Sequence, residues 1–322
     1  MPLPRFLIRL CPAATIVLCP GVVLSQDYPN KPLRIVTAQP GGGADFFARI
    51  IAQGLTARFG QQVIVDNRSG ASGAIAIEMV AGAPRDGYTM LVYNNGLWTL
   101  PLLRKVAYHP VADFSPVAAV ASMPNVLVVH PSLPVKTTAE LIAWAKARPG
   151  QLSYASAGSG QTTHLAAELF KAMAGLDILH IPYKGSPSAL NDLLGGRVQL
   201  MFPNAASVMP HVKSGRLRAL AVTTAGPSRL FPDLPPVADS GLRGYQSVVT
   251  FGLFAPAKIP SAIINQLNQA VGRILDAPDV KERFFNVGAE TVGGPPQQLG
   301  DTMKSEIARL GKVIKEAGIR ED

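Results

Sequence analysis

Apolar runs of strand length alternate with stretches of helical spacing along most of this chain, and glycines stand between them. Leu33 to Ala38 is a nearly continuous apolar run, Pro40-Gly41-Gly42-Gly43 breaks it, and Ala44 to Phe59 takes the spacing of a helix with a small, acidic first turn. Gln62 to Val65 is a second short strand ending at Asp66-Asn67-Arg68. Ser69 to Gly73 leads into a small-residue helix, Ala74 to Ala81, and Tyr88 to Tyr93 is a third strand. This rhythm predicts a parallel sheet, and it sets Asn94-Asn95-Gly96 just after the third strand, at the carboxyl edge where open α/β sheets take ligands.

The second half repeats the grammar. Val111 to Met123 and Asn125 to Val129 read as extended segments, the latter crossing into another domain. Thr137 opens a helix that ends at Arg148-Pro149-Gly150, with Glu140 placed to complete a capping box. Leu152 to Ser156 is a strand, Ala157 to His164 a glycine-serine turn, and a helix runs on to Ala174. Further strands are expected at Ile178 to Ile181, Val198 to Phe202, Leu217 to Thr223 and Val248 to Ala255. Helices are expected up to Leu194, from Asn204, and over Ser261 to Leu275, Pro278 to Val287 and Pro296 to Ala317. A strand that empties through glycines into a helix makes an anion seat, because the free N–H groups and positive dipole end of the helix face the turn. Two such seats suggest a clamp. With crossings near residues 125 and 248, residues 26–125 and 249–322 form one discontinuous domain and 126–248 an inserted second, an arrangement that suits a hinge.

Composition adds an address. The chain has 322 residues, 48% hydrophobic and 16% charged, enough to bury a sizeable core. Residues 1–25 carry Arg5 and Arg9, a proline-broken apolar run and a small-residue end, the pattern of a signal peptide cleaved near Ser25-Gln26, and so of a periplasmic protein. Both cysteines, Cys11 and Cys19, lie in that leader, so the mature chain has no disulfide, thiol nucleophile or cysteine zinc site. Losing Arg5 and Arg9 takes the net charge from +9 to +7. The remaining basic residues are scattered without a cluster, which argues against nucleic acid.

The residues narrow the chemistry further. Gly41-x-Gly43 lacks the third glycine of a dinucleotide fingerprint, since Phe46 stands in its place, and Gly158-x-Gly160 meets Thr163, so no cofactor is expected. Ser159 and His164 do not form G-x-S-x-G, which leaves a secreted hydrolase as the weaker alternative. His164 and Glu168 share a helix face and with Asp177 or His180 could surround a metal, but hydrogen bonding or ligand contact is the expected role of His164, and no metal site is expected. Asp45, in a first helical turn, suits backbone hydrogen bonds or an ordered water better than acid catalysis. Lys184 could add charge beside the second seat.

The phrases PGGGADFFAR (40–49), DNRSGASG (66–73), DGYTML (86–91), FSPVAAVASMPNVLVV (114–129), ELIAWAKARPGQLSYASAGSGQTTHLAAELF (140–170), HIPYKGSPSALNDLLGGRVQLMF (180–202), GRLRALAVTT (215–224) and FGLFAPAKIP (251–260), in that order and spacing, resemble the Bug family of periplasmic solute receptors of tripartite tricarboxylate transporters. The resemblance implies an α/β, two-domain Venus-flytrap fold of the type II-like kind. It also implies a non-enzymatic role, in which a di- or tricarboxylate, an acidic amino acid or an aromatic acid is captured and passed to a membrane permease. A sensor component that presents its ligand to a signalling protein is the alternative of another class. By position, the resemblance assigns ligand contact to Gly42, Gly43, Ala44 and Asp45 of the first seat and Ser159, Gly160, Thr162, Thr163 and His164 of the second. Tyr183, Gly185 and Asn204 lie on neighbouring loops, and Gln39, Phe46, Tyr93, Asn94 and Gln161 are the positions expected to read the rest of the ligand.

Overall fold

A computed structural model describes residues 28–183, 185–316, 318 and 319. The proposed leader with its two cysteines and Lys184 lie outside the described residues. The chain folds as two α/β layers, each built around one sheet.

The first sheet has strands β1 (Leu33–Thr37), β2 (Val63–Asn67), β3 (Thr89–Asn94), β4 (Phe114–Pro124), β10 (Val248–Pro256) and β11 (Glu290–Gly293), in the order β11-β4-β10-β3-β1-β2. β1 lies parallel between β2 and β3, with Ile35 opposite Val65 and Met90. β10 runs antiparallel between β3 and β4 and sets Phe251 opposite Asn94. Helices α1 (Gly43–Phe59), α2 (Ala74–Ala81), α3 (Gly96–Leu103), α8 (Ser261–Asp276), α9 (Pro278–Asn286) and most of α10 (Pro296–Glu316) accompany it. One face buries Ile35, Phe47, Ile51, Phe251 and Phe284, and the other Val36, Trp98, Phe254 and Met303.

The second sheet is β7-β6-β8-β5-β9, from β5 (Val126–Val129), β6 (Ser153–Ser156), β7 (Leu179–Pro182), β8 (Leu200–Met201) and β9 (Arg218–Val222). Helices α4 (Thr138–Lys146), α5 (Thr162–Ala174), α6 (Ser186–Leu194) and α7 (Ala205–Lys213) cover its faces. The chain passes between the layers at Pro124-Asn125-Val126 and again between β9 and β10. Near both passages it is stitched to itself, because Asn125 N–H donates to the Thr223 hydroxyl, which donates to the Asn125 carbonyl, both at 2.9 Å.

α10 belongs to both layers. Its first half buries Leu299 and Met303 beside Trp98, while Val313 enters the core of the second layer. Leu310 and Ile314 meet Leu103 of α3 and Leu165 of α5 in a small apolar cluster between the layers.

Most expected elements are present with ends shifted by a residue or two, and the differences have local causes. Asn94, expected just after the third strand, is its last residue, and Asn95 caps a helix not expected there, α3, in which Gly96 and Pro101 look like breakers yet Leu97, Trp98, Leu100 and Leu103 are buried. β11 was not expected, since its four residues hold only as an edge against β4. Val198 to Phe202 pairs over two residues only, as β8. The box at α4 is half formed: the Thr137 hydroxyl accepts from Glu140 N–H at 3.1 Å, but the Glu140 carboxylate accepts from Lys136 N–H, one residue earlier than a capping box requires.

Candidate functional site

The first seat runs from the end of β1 to the start of α1. Gly42 caps α1 with extended backbone and no side-chain bond, leaving the first helical N–H groups uncapped by any side chain. Gly43 is tightly approached, since a Cβ there would stand 3.1 Å from Phe251 Cζ. Ala44 is half-buried beside it, and Phe46 turns toward the core, edge-on to Phe47 with centroids 5.4 Å apart and tilted against Phe284.

Asp45 is buried, and its carboxylate is fully engaged within the loop. Oδ2 accepts from Gly41 N–H at 2.9 Å and Arg49 Nε at 3.0 Å, while Oδ1 accepts from Asn67 Nδ2 at 2.9 Å. Burial alone would raise its pKa, but the bonds from Arg49, Gly41 and Asn67 outweigh it and hold the carboxyl below its ordinary value. Asp45 therefore ties the turn to α1 and to the end of β2. A carboxyl lowered in the folded state contributes stability above its ordinary pKa of 3.8, which is lost as pH falls through the folded value. Asp45→Asn is accordingly expected to lower the melting temperature at neutral pH and to lose that deficit in strong acid. An equal deficit at both pH values in thermal scans would contradict this account.

The second seat lies between β6 and α5. Gly158 (φ 139°) and Gly160 (φ 75°) have left-handed-side backbone that favours glycine, and Gln161 caps α5 with extended backbone and no side-chain bond. The loop is pinned from inside: Ala157 N–H donates to Thr163 Oγ1 at 2.9 Å, and Gly160 N–H donates to His164 Nδ1 at 2.9 Å. Thr163 and His164 are therefore buried and turned into the loop, whereas Ser159 and Gln161 are exposed. His164 Nδ1 takes the Gly160 N–H rather than the Ser159 hydroxyl, which is not the arrangement of a serine nucleophile and its base.

The two layers meet around a small cavity of about 70 Å³. Gly160, Gln161 and Thr162 line it from the second layer, and Ser72, Tyr93, Asn94, Gly96, Thr99, Leu100 and Leu103 from the first. No lysine or arginine is among these lining residues, so an anion there would rest on backbone N–H groups, hydroxyls and amides. Ser72 arrives on a constrained loop, where Ala71 (φ 47°) and Ser72 (φ 51°) are both left-handed. Tyr93 OH donates to the Ser72 carbonyl at 2.8 Å, and Arg104 donates to that of Ala71 at 2.6 Å.

Of the positions singled out in the sequence, Tyr93, Asn94, Gly160, Gln161 and Thr162 thus meet around the cavity. Gly42, Gly43, Ala44, Asp45 and Phe46 do not line it. Tyr183 donates its hydroxyl to Asp192 at 2.7 Å, Gly185 caps α6, and Asn204 bridges Asn125 beside the first passage between the layers. Ser72, Thr99, Leu100 and Leu103 were not anticipated; the one available signal was that Ser69 to Gly73 ends a strand-to-helix turn like the other two. Among the described residues no group of three or more His, Cys, Asp or Glu side chains is placed to hold a metal ion.

Comparison with known proteins gives a consistent set of matches. The family described as "Tripartite tricarboxylate transporter family receptor" matches residues 47–319. Protein BugT of Bordetella pertussis is 37% identical over 302 residues, covering 92% of this chain and 93% of that protein. An R. palustris protein solved with adipate is 41% identical with a TM-score of 0.74, covering 91% of this chain and 99% of that one. MatC from Rhodopseudomonas palustris, solved with bound malate, is 30% identical with a TM-score of 0.71, covering 89% and 100%.

Proposed function

Because the chain belongs to the tripartite tricarboxylate transporter receptor family and has its two-domain periplasmic-binding-protein fold, we propose that it captures a small organic carboxylate between its two layers and delivers it to a tripartite-type membrane permease. The observation that carries this reading is the uncapped start of α5, set across a small cavity from the ends of β3 and the 70–73 loop with no cation among the lining residues. Such a site binds an anion reversibly and offers no group poised to turn it over. Adipate and malate in the relatives make aliphatic dicarboxylates the first class to try. The receptor works in the periplasm, after removal of the leader.

Binding and closure are linked in this reading, because the cavity is formed by both layers and a ligand that bridges them favours the closed form. The test is thermal unfolding of the ligand-stripped mature chain against aliphatic dicarboxylates, tricarboxylates, acidic amino acids and aromatic acids. A saturable rise with one acid is expected, worth about 2.7 kcal/mol at a hundred times its dissociation constant. No response from any of them would remove the carboxylate assignment. Uptake of the identified acid in cells lacking the gene then tests delivery, with unchanged uptake as the contrary result.

A further inference from the structure

Beneath the second seat lies a stack of rings that carboxylate capture alone does not explain. His164 of α5 and His180 of β7 lie face to face, with centroids 3.9 Å apart and an interplanar angle of 11°, and Tyr154 of β6 continues the stack at 4.8 Å from His180. Each histidine holds one end of the same loop. His164 Nδ1 accepts from Gly160 N–H, and His180 Nε2 lies 2.7 Å from the Ser156 hydroxyl, which in turn accepts from Gly158 N–H at 3.2 Å. The stack is anchored below, where Tyr154 OH donates to Glu168 Oε1 at 2.5 Å and Lys171 Nζ donates to the same oxygen at 2.6 Å.

We infer that His164 and His180 act together as positioning residues for the second anion seat, fixing Gly158 and Gly160 from beneath so that carboxylate capture depends on the two rings staying stacked and on an uncharged His164 ring. This rests on the second seat holding the carboxylate, as proposed above. Nδ1 of His164 can serve Gly160 only while it carries no proton. The groups facing the pair are Tyr154 from β6, and Glu168 and Lys171 from α5. Glu168 favours a proton on the rings, Lys171 opposes it, and burial together with the neighbouring His180 ring holds the His164 pKa down to about 4. His180 is likewise lowered, chiefly by burial. For a histidine depressed in the folded state, stability is fully present above the ordinary 6.5 and is lost as pH falls toward about 4. The seat is therefore built for neutral pH and opens in acid.

The test compares His164→Ala and His164→Asn, since asparagine can return an acceptor to the place of Nδ1. Two readouts are used on the mature protein: exchange of the Gly160 amide proton, which needs no ligand, and calorimetric titration with adipate and with malate. His164→Ala is expected to unprotect the Gly160 amide and weaken binding roughly tenfold or more, and His164→Asn to restore most of both. On acidification from about pH 6.5 to about pH 4 the native protein should lose affinity more steeply than His164→Asn with the same acid. A protected Gly160 amide in His164→Ala, equal losses in the two variants, or parallel pH profiles would each overturn the inference. If the native protein binds neither acid, the test of carboxylate capture by these two compounds has failed, and the amide exchange decides the positioning role by itself.

Discussion

Replacing Gly160 by valine should cost the protein its ligand while leaving most of its fold in place. Gly160 sits at φ +75°, and a Cβ there would stand 2.6 Å from Leu103 Cδ1 across the interface between the layers. A β-branched residue in that conformation carries a penalty of about 1–2 kcal/mol, and the added bulk costs about 1–3 kcal/mol more if the loop stays where it is. The Leu103 side chain can swing aside, but a valine at this φ is strained whatever the space, so the loop backbone shifts. Its movement pulls the Gly160 N–H from His164 and alters the approach of the α5 N-terminus to the cavity. Calorimetry with the acid selected by thermal shift should show a loss of roughly tenfold or more. Full affinity in the valine variant would mean that the second seat does not approach the ligand closely.

Trp98→Ala should have the largest effect on stability. The indole is fully buried between α3 and α10, and its Nε1 donates to Glu306 Oε2 at 2.8 Å. Truncating a buried tryptophan costs about 3–5 kcal/mol, and here it also removes a donor from a buried carboxylate. Because Trp98 shares α3 with Thr99, Leu100 and Leu103, the loss should reach the cavity and weaken binding as well. A milder variant separates the two effects. Burial raises the Glu306 pKa, and the Trp98 hydrogen bond, the Arg309 charge and the Asn95 hydrogen bond only partly offset that rise. A carboxyl raised above its ordinary value of 4.5 favours the folded state while protonated, so this contribution is present in acid and lost as pH rises through the folded value. Trp98→Phe raises it further, and its stability deficit should therefore be larger at about pH 8 than at about pH 4. Equal deficits in denaturant titrations at the two pH values would assign the whole effect to packing.

These two residues also mark how far the sequence could be read. The glycines around Gly160 follow a strand and precede a helix, a local pattern with a local physical meaning, so the second seat could be located from spacing alone. Trp98 could not be placed in the same way. α3 is short and apolar all round, with a glycine at its start and a proline inside, and its helical form comes from burial against α10 some 200 residues later. The cavity residues divide along the same line. Asn94 and Thr162 stand at ends of elements that periodicity predicts, whereas Leu100 and Leu103 enter through a helix that tertiary packing creates. Asp45 to Arg49 is a visible one-turn spacing, but the Asn67 amide that completes the carboxylate's bonds lies 22 positions away. The His164–His180 stack joins a helix to an edge strand and has no signature in either.

The place of β10 in the first sheet governs the order in which the molecule can be completed. β3 and β4 touch only through β10, and pairings such as Phe251 with Asn94 wait for a segment made long after both. The second sheet draws all its strands from the uninterrupted stretch 126–222 and can close while the last quarter of the chain is still being synthesised. Until residues 248–256 arrive, β4 has no partner on either side and β3 has one bare edge, each a row of free backbone donors and acceptors able to pair with another chain. Non-local closure of this kind is slow. The half-made protein is thus a chain with one closed sheet, still waiting for Val313 of α10 to complete its core, and one open sheet, and it is the open sheet that a chaperone would have to cover.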